Sequence, residues 1–325
     1  MRAAFYEKNG TARDVLSVGE IETPVPGPGE VRVRLATSGV NPSDVKTRMG
    51  TTRKIAFPRV VPHSDGAGEI DMVGDGVAKT RMGERVWIWN GQWKRPFGTC
   101  AEYIVVPAAQ AVRLPAHIDF EAGACLGIPA LTAHHAVDVA GADKGKTVLV
   151  SGGAGSVGHY AIQFAKARGA SVITTVSSSQ KADLARAAGA DHVIDYKRED
   201  VAARVQELTG GRGCDAMVEL DLNSNARLIP GVLRPRGIVA VYGITGPEPQ
   251  LPGQFCLANA ITIRFVFVYE LTADERDRAV SEISAMLEGR HLINNVALTF
   301  PLSEIVEAHE AVEQGKALGN VVVRL

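Results

Sequence analysis

The chain has 325 residues, 46% apolar and 22% charged, and its 35 Lys and Arg balance 36 Asp and Glu for a formal net charge of −1. That length accommodates about two domains with buried cores, and the even charge argues against an electrostatic nucleic-acid binder, so no nucleic-acid partner is expected. Four scattered cysteines, Cys100, Cys125, Cys214 and Cys256, offer neither a disulfide framework nor a Cys-based zinc site and fit a reducing, cytoplasmic compartment.

The opening Met1-Arg2-Ala3-Ala4-Phe5-Tyr6-Glu7-Lys8 lacks the apolar core of a secretory signal. The first third of the chain reads as β-rich. Val31-Arg32-Val33-Arg34-Leu35 alternates apolar with polar as a half-buried strand does, and segments 85–89 and 101–106 are further strands. Gly and Pro clusters such as Pro24-Val25-Pro26-Gly27-Pro28-Gly29 separate them, a pattern that favours a barrel or sandwich. The uncharged stretch 122–137, broken by Pro129, His134 and His135, falls short of a membrane span, and no membrane partner is expected.

Near Phe120 the texture changes. A helical apolar stretch leads into Thr147-Val148-Leu149-Val150-Ser151, a continuous apolar strand of the kind buried on both faces. Strands at 171–176, 192–194, 215–219, 237–242 and 261–267 then follow, with helical patterns at 157–168 and 181–188 between them. This alternation signals βαβ units in a parallel sheet, and six strands is the doubly wound number.

Directly after the strand at 147–151 stands Gly152-Gly153-Ala154-Gly155-Ser156-Val157-Gly158. Gly153, Gly155 and Gly158 satisfy G-x-G-x-x-G in the strand–turn–helix context that a dinucleotide site needs. Gly153 is expected to make the tight turn, Gly155 to let backbone N–H groups approach a diphosphate, and Gly158 to pack the helix closely on the strand. A glycine-rich turn without a ligand is the competing reading. About 20 residues further on, where a carboxylate would select NAD by binding the ribose 2′-hydroxyl, the chain has Ser177-Ser178-Ser179-Gln180-Lys181. Hydroxyls and one ammonium suit a 2′-phosphate, so NADPH is the expected cofactor, with Tyr196 and Lys197 closing over the same region. A solvated helix start is the alternative for Lys181.

The residues after Phe267 are too few for a secure core of their own. They are expected to pack back on the β-rich part, with Asn320-Val321-Val322-Val323-Arg324-Leu325 as a returning strand. The domains are therefore expected at 1–122 with 268–325, and at 123–267.

Several segments carry a family resemblance: Gly39-Val40-Asn41-Pro42-Ser43-Asp44, Ser64-Asp65-Gly66-Ala67-Gly68, Ala101-Glu102-Tyr103-Ile104-Val105-Val106-Pro107, Leu126-Gly127-Ile128-Pro129-Ala130-Leu131-Thr132-Ala133, the glycine loop, and Ala308-His309-Glu310-Ala311. With them the chain resembles the medium-chain dehydrogenase/reductase superfamily, and within it the zinc-free, zeta-crystallin-like quinone oxidoreductases. The resemblance implies an α/β architecture, a Rossmann doubly wound parallel sheet plus a GroES-like β-rich domain, with nicotinamide and substrate meeting in a cleft between them. It places Thr132, Gly243 beside Tyr242, Phe265, Val266 and Asn320 along the cofactor. Core packing competes with that reading, most strongly for Phe265. Relatives commonly carry a basic residue where Asn320 stands.

The zinc ligands of related alcohol dehydrogenases, a Cys, a His and a Cys, look to be replaced here by Asn41, Ser64 and Ile128. An amide, a hydroxyl and an alkyl chain do not make a zinc site, and His63 next door is a single imidazole, so no metal is expected. Without a Lewis acid, alcohol oxidation is disfavoured, while hydride transfer from NADPH to a quinone or an α,β-unsaturated carbonyl remains feasible. By resemblance Asn41 is the donor facing the carbonyl oxygen, with Asp44 and Ser64 beside it. Turn and cap chemistry competes: Asn41 precedes Pro42, Asp44 can cap a helix starting near Val45, and Asp65 can serve buried backbone or pair with Arg85. Relatives often carry Tyr after the Asn-Pro-x-Asp segment, whereas Lys46 and Arg48 flank Thr47 here, which points to an acidic or smaller acceptor.

The apolar run 261–269 is expected to be the sixth strand at a sheet edge, and pairing of that edge makes a homodimer. Zeta-crystallin relatives also serve as structural or RNA-associated proteins, so a non-catalytic NADPH-binding protein is the alternative function.

Overall fold

The computed structural model describes residues 1–246 and 248–325. It separates into two compact units, Met1–Pro129 with Val280–Leu325, and Ala130–Ala279. The boundaries expected at 122/123 and 267/268 lie before these, because the short helices after Phe120 and the first half of the helix Ala273–Glu288 are distributed differently.

In the second unit, strand–helix alternation gives six strands: Thr147–Val150, Ser171–Val176, His192–Asp195, Cys214–Glu219, Leu233–Val241 and Thr262–Phe265. All pair in parallel, in the spatial order third, second, first, fourth, fifth, sixth. This is the doubly wound order, whose switch point lies between the first and fourth strands. Helices cover such sheets on both faces, so the central strands read as unbroken apolar runs; Val148, Leu149, Val150 and Val218 are fully buried. The sixth strand is shorter than its apolar sequence predicts and sits at the edge. Its Phe265 is 64% exposed, which overturns the core-packing reading of that residue.

The first unit is β-rich. Its seven-stranded sheet is organised on the strand Glu30–Val40, which pairs antiparallel with Gly66–Val73, with Tyr103–Pro107 and with the C-terminal strand Asn320–Arg324. The alternation at 31–35 puts Val31, Val33 and Leu35 into a core with Ile70, Val86, Ile88, Ile104 and Val106. Beyond Leu35 the strand continues through Ala36, Ser38 and Gly39, residues of weak strand propensity, because partners flank it on both sides. A second core gathers Ala3, Ala4, Tyr6, Val40, Ile305, Ala308, Val321 and Val323. Among the described residues no helix is long and apolar enough to cross a membrane.

Candidate functional site

In the parallel unit, the strand Thr147–Val150 ends in a turn whose left-handed residue is Gly152 (φ +68°). This corrects the role expected of Gly153. Gly153 is required instead by packing: a Cβ there would lie 2.2 Å from Thr174 Oγ1 and 2.7 Å from Ile162 Cδ1. A Cβ on Gly158 would lie 2.3 Å from the Gly152 carbonyl oxygen, so the helix starts directly against the turn. Gly152 N–H donates to Thr175 Oγ1 (3.1 Å) and Gly153 N–H to the Thr175 carbonyl (3.2 Å), which staples the loop to the second strand. Gly155 is the N-cap of the helix Ser156–Ala167 and has no side chain to cap it. The first-turn amides of that helix, with its positive dipole end, are therefore a seat for a diphosphate.

The same edge carries the residues expected to choose between nucleotides. Ser178 caps the helix Ser179–Ala187 by accepting from Lys181 N–H (3.3 Å), and the Lys181 ammonium donates to Ser177 Oγ (3.0 Å). Lys181 is therefore positioned beside Ser177 rather than merely solvated. Tyr196 N–H joins the Val176 carbonyl (3.1 Å), and its side chain is exposed. Asp195, which sequence reading passed over, ends the third strand; its carboxylate accepts Lys197 N–H (3.1 Å) and faces Arg198 Nε at 3.7 Å.

A buried carboxylate network, also missed from sequence, holds the switch point. Glu219 Oε2 accepts from Ser151 Oγ (2.6 Å), and its Oε1 accepts from Asp221 N–H (2.5 Å) and Asn225 Nδ2 (2.9 Å). Burial raises the Glu219 pKa. Asp221 accepts from Thr245 N–H and Oγ1; burial alone would raise its pKa, but these bonds and that from Ser224 hold it below the ordinary value. Gly243 crosses this corner, where a Cβ would meet the Leu220 carbonyl oxygen at 1.9 Å. Val266 N–H donates to the Val241 carbonyl (2.7 Å), and Thr132 is buried in the first turn of the helix Leu131–Ala140.

In the β-rich unit, Asn41 ends the long central strand and is the N-cap of the helix Pro42–Met49, three residues ahead of the start expected near Val45. Its N–H donates to Asp44 Oδ2 (2.8 Å), so Asp44 sits in the first turn and caps from within. Its Nδ2 donates to Asp65 Oδ1 (2.7 Å), and Asp65 Oδ2 accepts from Ile128 N–H (3.1 Å). Of the two structural roles open to Asp65, it serves buried backbone, at Ile128, and does not pair with Arg85, which donates to the carbonyls of Pro115, Ala116 and Ile118. Asn41, Asp44, Ser64 and Asp65 are all buried. Burial pushes Asp44 up to about 7, and burial with the Asp44 charge raises Asp65 well above the carboxylate range. The structure therefore brings Asn41, Asp44 and Ile128 together around Asp65, the residue that sequence reading had treated as structural.

Asn320 lies one step beyond the pair Val321–Val40, opposite Asn41 in backbone register, and its Nδ2 donates to the Asn295 carbonyl (3.0 Å). Arg48, one of the two cations flanking Thr47 that point in the sequence to an acidic or smaller acceptor, is fully buried; it pairs with Glu313 and donates to the Gly10 carbonyl. It sits on the inner face of a helix whose Lys46 is half-exposed.

Residues 27–116 match the alcohol dehydrogenase GroES-like domain, and residues 156–285 match the zinc-binding dehydrogenase family. A quinone oxidoreductase of Pseudomonas aeruginosa is 31% identical over 319 residues, covering 95% of each chain. A 2-haloacrylate reductase of Burkholderia is 29% identical over 333 residues, covering 99% of this chain and 98% of its own. A mycobacterial protein solved in complex with NADPH is 30% identical, with a TM-score of 0.88 and 100% of both chains covered.

Zinc, which one family description names, requires thiolate, imidazole or carboxylate donors in tetrahedral array. The Asn41 amide is committed to Asp65, Ile128 offers only an alkyl chain, and both ring nitrogens of His63 are engaged, Nδ1 with Ser38 (2.8 Å) and Nε2 with His309 (2.9 Å). These residues do not fit the metal. Fold, domain matches and full-length similarity agree: the chain belongs to the medium-chain dehydrogenase/reductase superfamily, in its zeta-crystallin-like quinone oxidoreductase family.

Proposed function

We propose that the protein is a zinc-independent, NADPH-dependent reductase that passes hydride to a quinone or another α,β-unsaturated carbonyl acceptor. The observation that carries this reading is the buried Asn41 amide, fixed by Asp65 at 2.7 Å where a zinc enzyme would have a thiolate. The relatives named as quinone oxidoreductase and 2-haloacrylate reductase, and the mycobacterial complex with NADPH, support it.

The unit Ala130–Ala279 is the dinucleotide-binding domain in this reading, and Met1–Pro129 with Val280–Leu325 the substrate domain. The residues present fit the cofactor: Ala154, Gly155, Ser156 and Val157 seat its diphosphate at a turn that Gly153 and Gly158 keep closely packed, and Ser177, Ser178 and Lys181 receive the 2′-phosphate. Bound NADPH supplies the hydride. Asn41 donates a hydrogen bond to the acceptor oxygen as charge develops there, and Asp65 holds the amide in one orientation so that little reorganisation is needed. Asp44 fixes the backbone under Asn41, and solvent supplies the final proton.

The exposed edge strand Thr262–Phe265, with Phe265 and Phe267 bared, favours a homodimer paired along this edge. The cysteines, three of them buried, suit a reducing cytoplasm. Steady-state assays of quinones and enones with NADPH and NADH, run beside metal analysis and light scattering, test the reading. Turnover faster with NADPH, in a metal-free dimer, is expected; loss of all turnover on metal removal, or no oxidation of NADPH by any acceptor, overturns it.

A further inference from the structure

Two stretches of the β-rich unit concentrate positive charge in an otherwise balanced chain. Segments 45–64 and 86–101 contain Lys46, Arg48, Arg53, Lys54, Arg59, Lys94 and Arg95 and no Asp or Glu. Arg48 is withdrawn from this set by burial against Glu313. The two segments meet at Trp93. The Arg53 guanidinium lies over its ring at 4.2 Å from the centroid, and Lys94 Nζ is 5.3 Å from the same centroid.

The loop beneath is built to hold this arrangement. Asn90 (φ +52°) and Lys94 (φ +58°) both adopt the left-handed conformation that non-glycine residues rarely take, a strain that persists only where surroundings impose it. Trp93 N–H donates to the Asn90 carbonyl (3.2 Å), Gln92 Nε2 to the Arg95 carbonyl (2.9 Å), and Arg95 Nη2 to Gln110 Oε1 (2.5 Å). Arg53 follows closely on the helix Pro42–Met49 that Asn41 caps, and its charge opposes the rise that burial imposes on Asp44 and Tyr6.

We infer that Arg53, held over the Trp93 ring, determines specificity for acceptors that carry a carboxylate. A guanidinium stacked on an aromatic face keeps its N–H edge directed outward, and that edge matches a carboxylate with two parallel hydrogen bonds. Lys94 adds a second positive charge on the same platform. The inference rests on the proposed reductase activity and narrows its acceptor class to anionic conjugated carbonyls.

The test compares a benzoquinone bearing a carboxylate with its methyl ester, which keeps the same electrophile and removes the charge. The wild-type protein is expected to favour the acid in kcat/KM, and Arg53→Gln to lower the acid-to-ester ratio about tenfold, mostly through KM, the size of one lost charge-assisted contact. Arg53→Lys is expected to recover part of the ratio, and raised salt to shrink it in the wild type. An ester preferred by the wild type, or a ratio unmoved by Arg53→Gln, overturns the inference while leaving the reductase reading intact. Should neither acceptor be reduced, the reductase reading falls, and tryptophan fluorescence titrated with benzoate and benzamide, with Trp93→Phe as the reference, decides the inference. Quenching by benzoate alone that disappears in Arg53→Gln supports it; no benzoate effect removes it.

Discussion

His63 and His309, 246 residues apart in the chain, meet through their Nε2 atoms at 2.9 Å in the core of the β-rich unit. The protons along this contact can be assigned. Thr99 Oγ1 donates to the Asp65 carbonyl (2.7 Å), so it must accept from Ser38 Oγ (2.8 Å). Ser38 then accepts from His63 Nδ1–H, which leaves His63 Nε2 as acceptor and His309 Nε2–H as donor. Both rings are neutral, and the chain ends on the backbone of the residue that orients Asn41. His309 Nδ1 is buried without a partner.

Replacing His309 by Leu leaves His63 Nε2 without its donor, which is expected to cost roughly 1–3 kcal/mol in urea unfolding. His309→Gln keeps an N–H donor and is expected to recover part of that. Burial holds His63 down at about 3 and His309 well below its ordinary value. Depressed folded values contribute stability that is present above the unfolded pKa of about 6.5 and is lost as pH falls through the folded values. Unfolding midpoints at pH 7.5 and 5 should therefore differ less in His309→Leu than in the wild type.

Asp44 has the opposite sign. Its folded pKa, raised by burial to about 7, lies above its unfolded value, so its contribution is complete in acid below the unfolded pKa and disappears as pH rises through about 7. Asp44→Asn retains an oxygen to accept the Asn41 N–H and removes the titration. The stability difference, variant minus wild type, should grow in the variant's favour between pH 5 and pH 8. A difference independent of pH would show that Asp44 ionises as in water.

Gly153 and Gly155 should separate packing from binding. Gly153→Ala drives a methyl to 2.2 Å from Thr174 Oγ1 and is expected to destabilise the protein by about 1–3 kcal/mol. At Gly155 the nearest atom to a new Cβ is the Gly152 carbonyl oxygen at 3.2 Å. Gly155→Ala should therefore keep most of the thermal stability while weakening NADPH binding in a calorimetric titration.

Lys181→Ala removes the ammonium that sits 3.0 Å from Ser177 Oγ. The ratio of kcat/KM for NADPH over NADH should fall about tenfold, as expected for one lost phosphate contact. An unchanged ratio would assign cofactor choice to other residues.

The parallel domain was legible in the sequence because its signals are local. Val148 to Val150 are buried on both faces and so had to be uniformly apolar, and the glycine loop obeys steric rules that act within a few residues. Even there, sequence spacing chose Gly153 as the turn residue, while the left-handed conformation falls on Gly152, since the pattern counts glycines and does not report φ. The apolar run at 261–269 reads as an edge strand and the strand order places it there, but whether Phe265 packs in a core or stands exposed is decided only by that edge position, since the residue type suits both.

The amino-acid order by itself determined the strand–helix alternation, the nucleotide turn and the absence of thiolates at Asn41 and Ile128, because these follow from residue type and near neighbours. Only the tertiary structure decided that Asp65 orients Asn41 rather than pairing with Arg85, that Arg48 turns inward to Glu313 while Arg53 stacks on Trp93, and that His63 meets His309. Each of these joins residues far apart in the chain. Which partner a buried polar group finds depends on how strands such as Glu30–Val40 and Asn320–Arg324 register with one another, and a one-residue shift in that pairing would send each side chain to the other face.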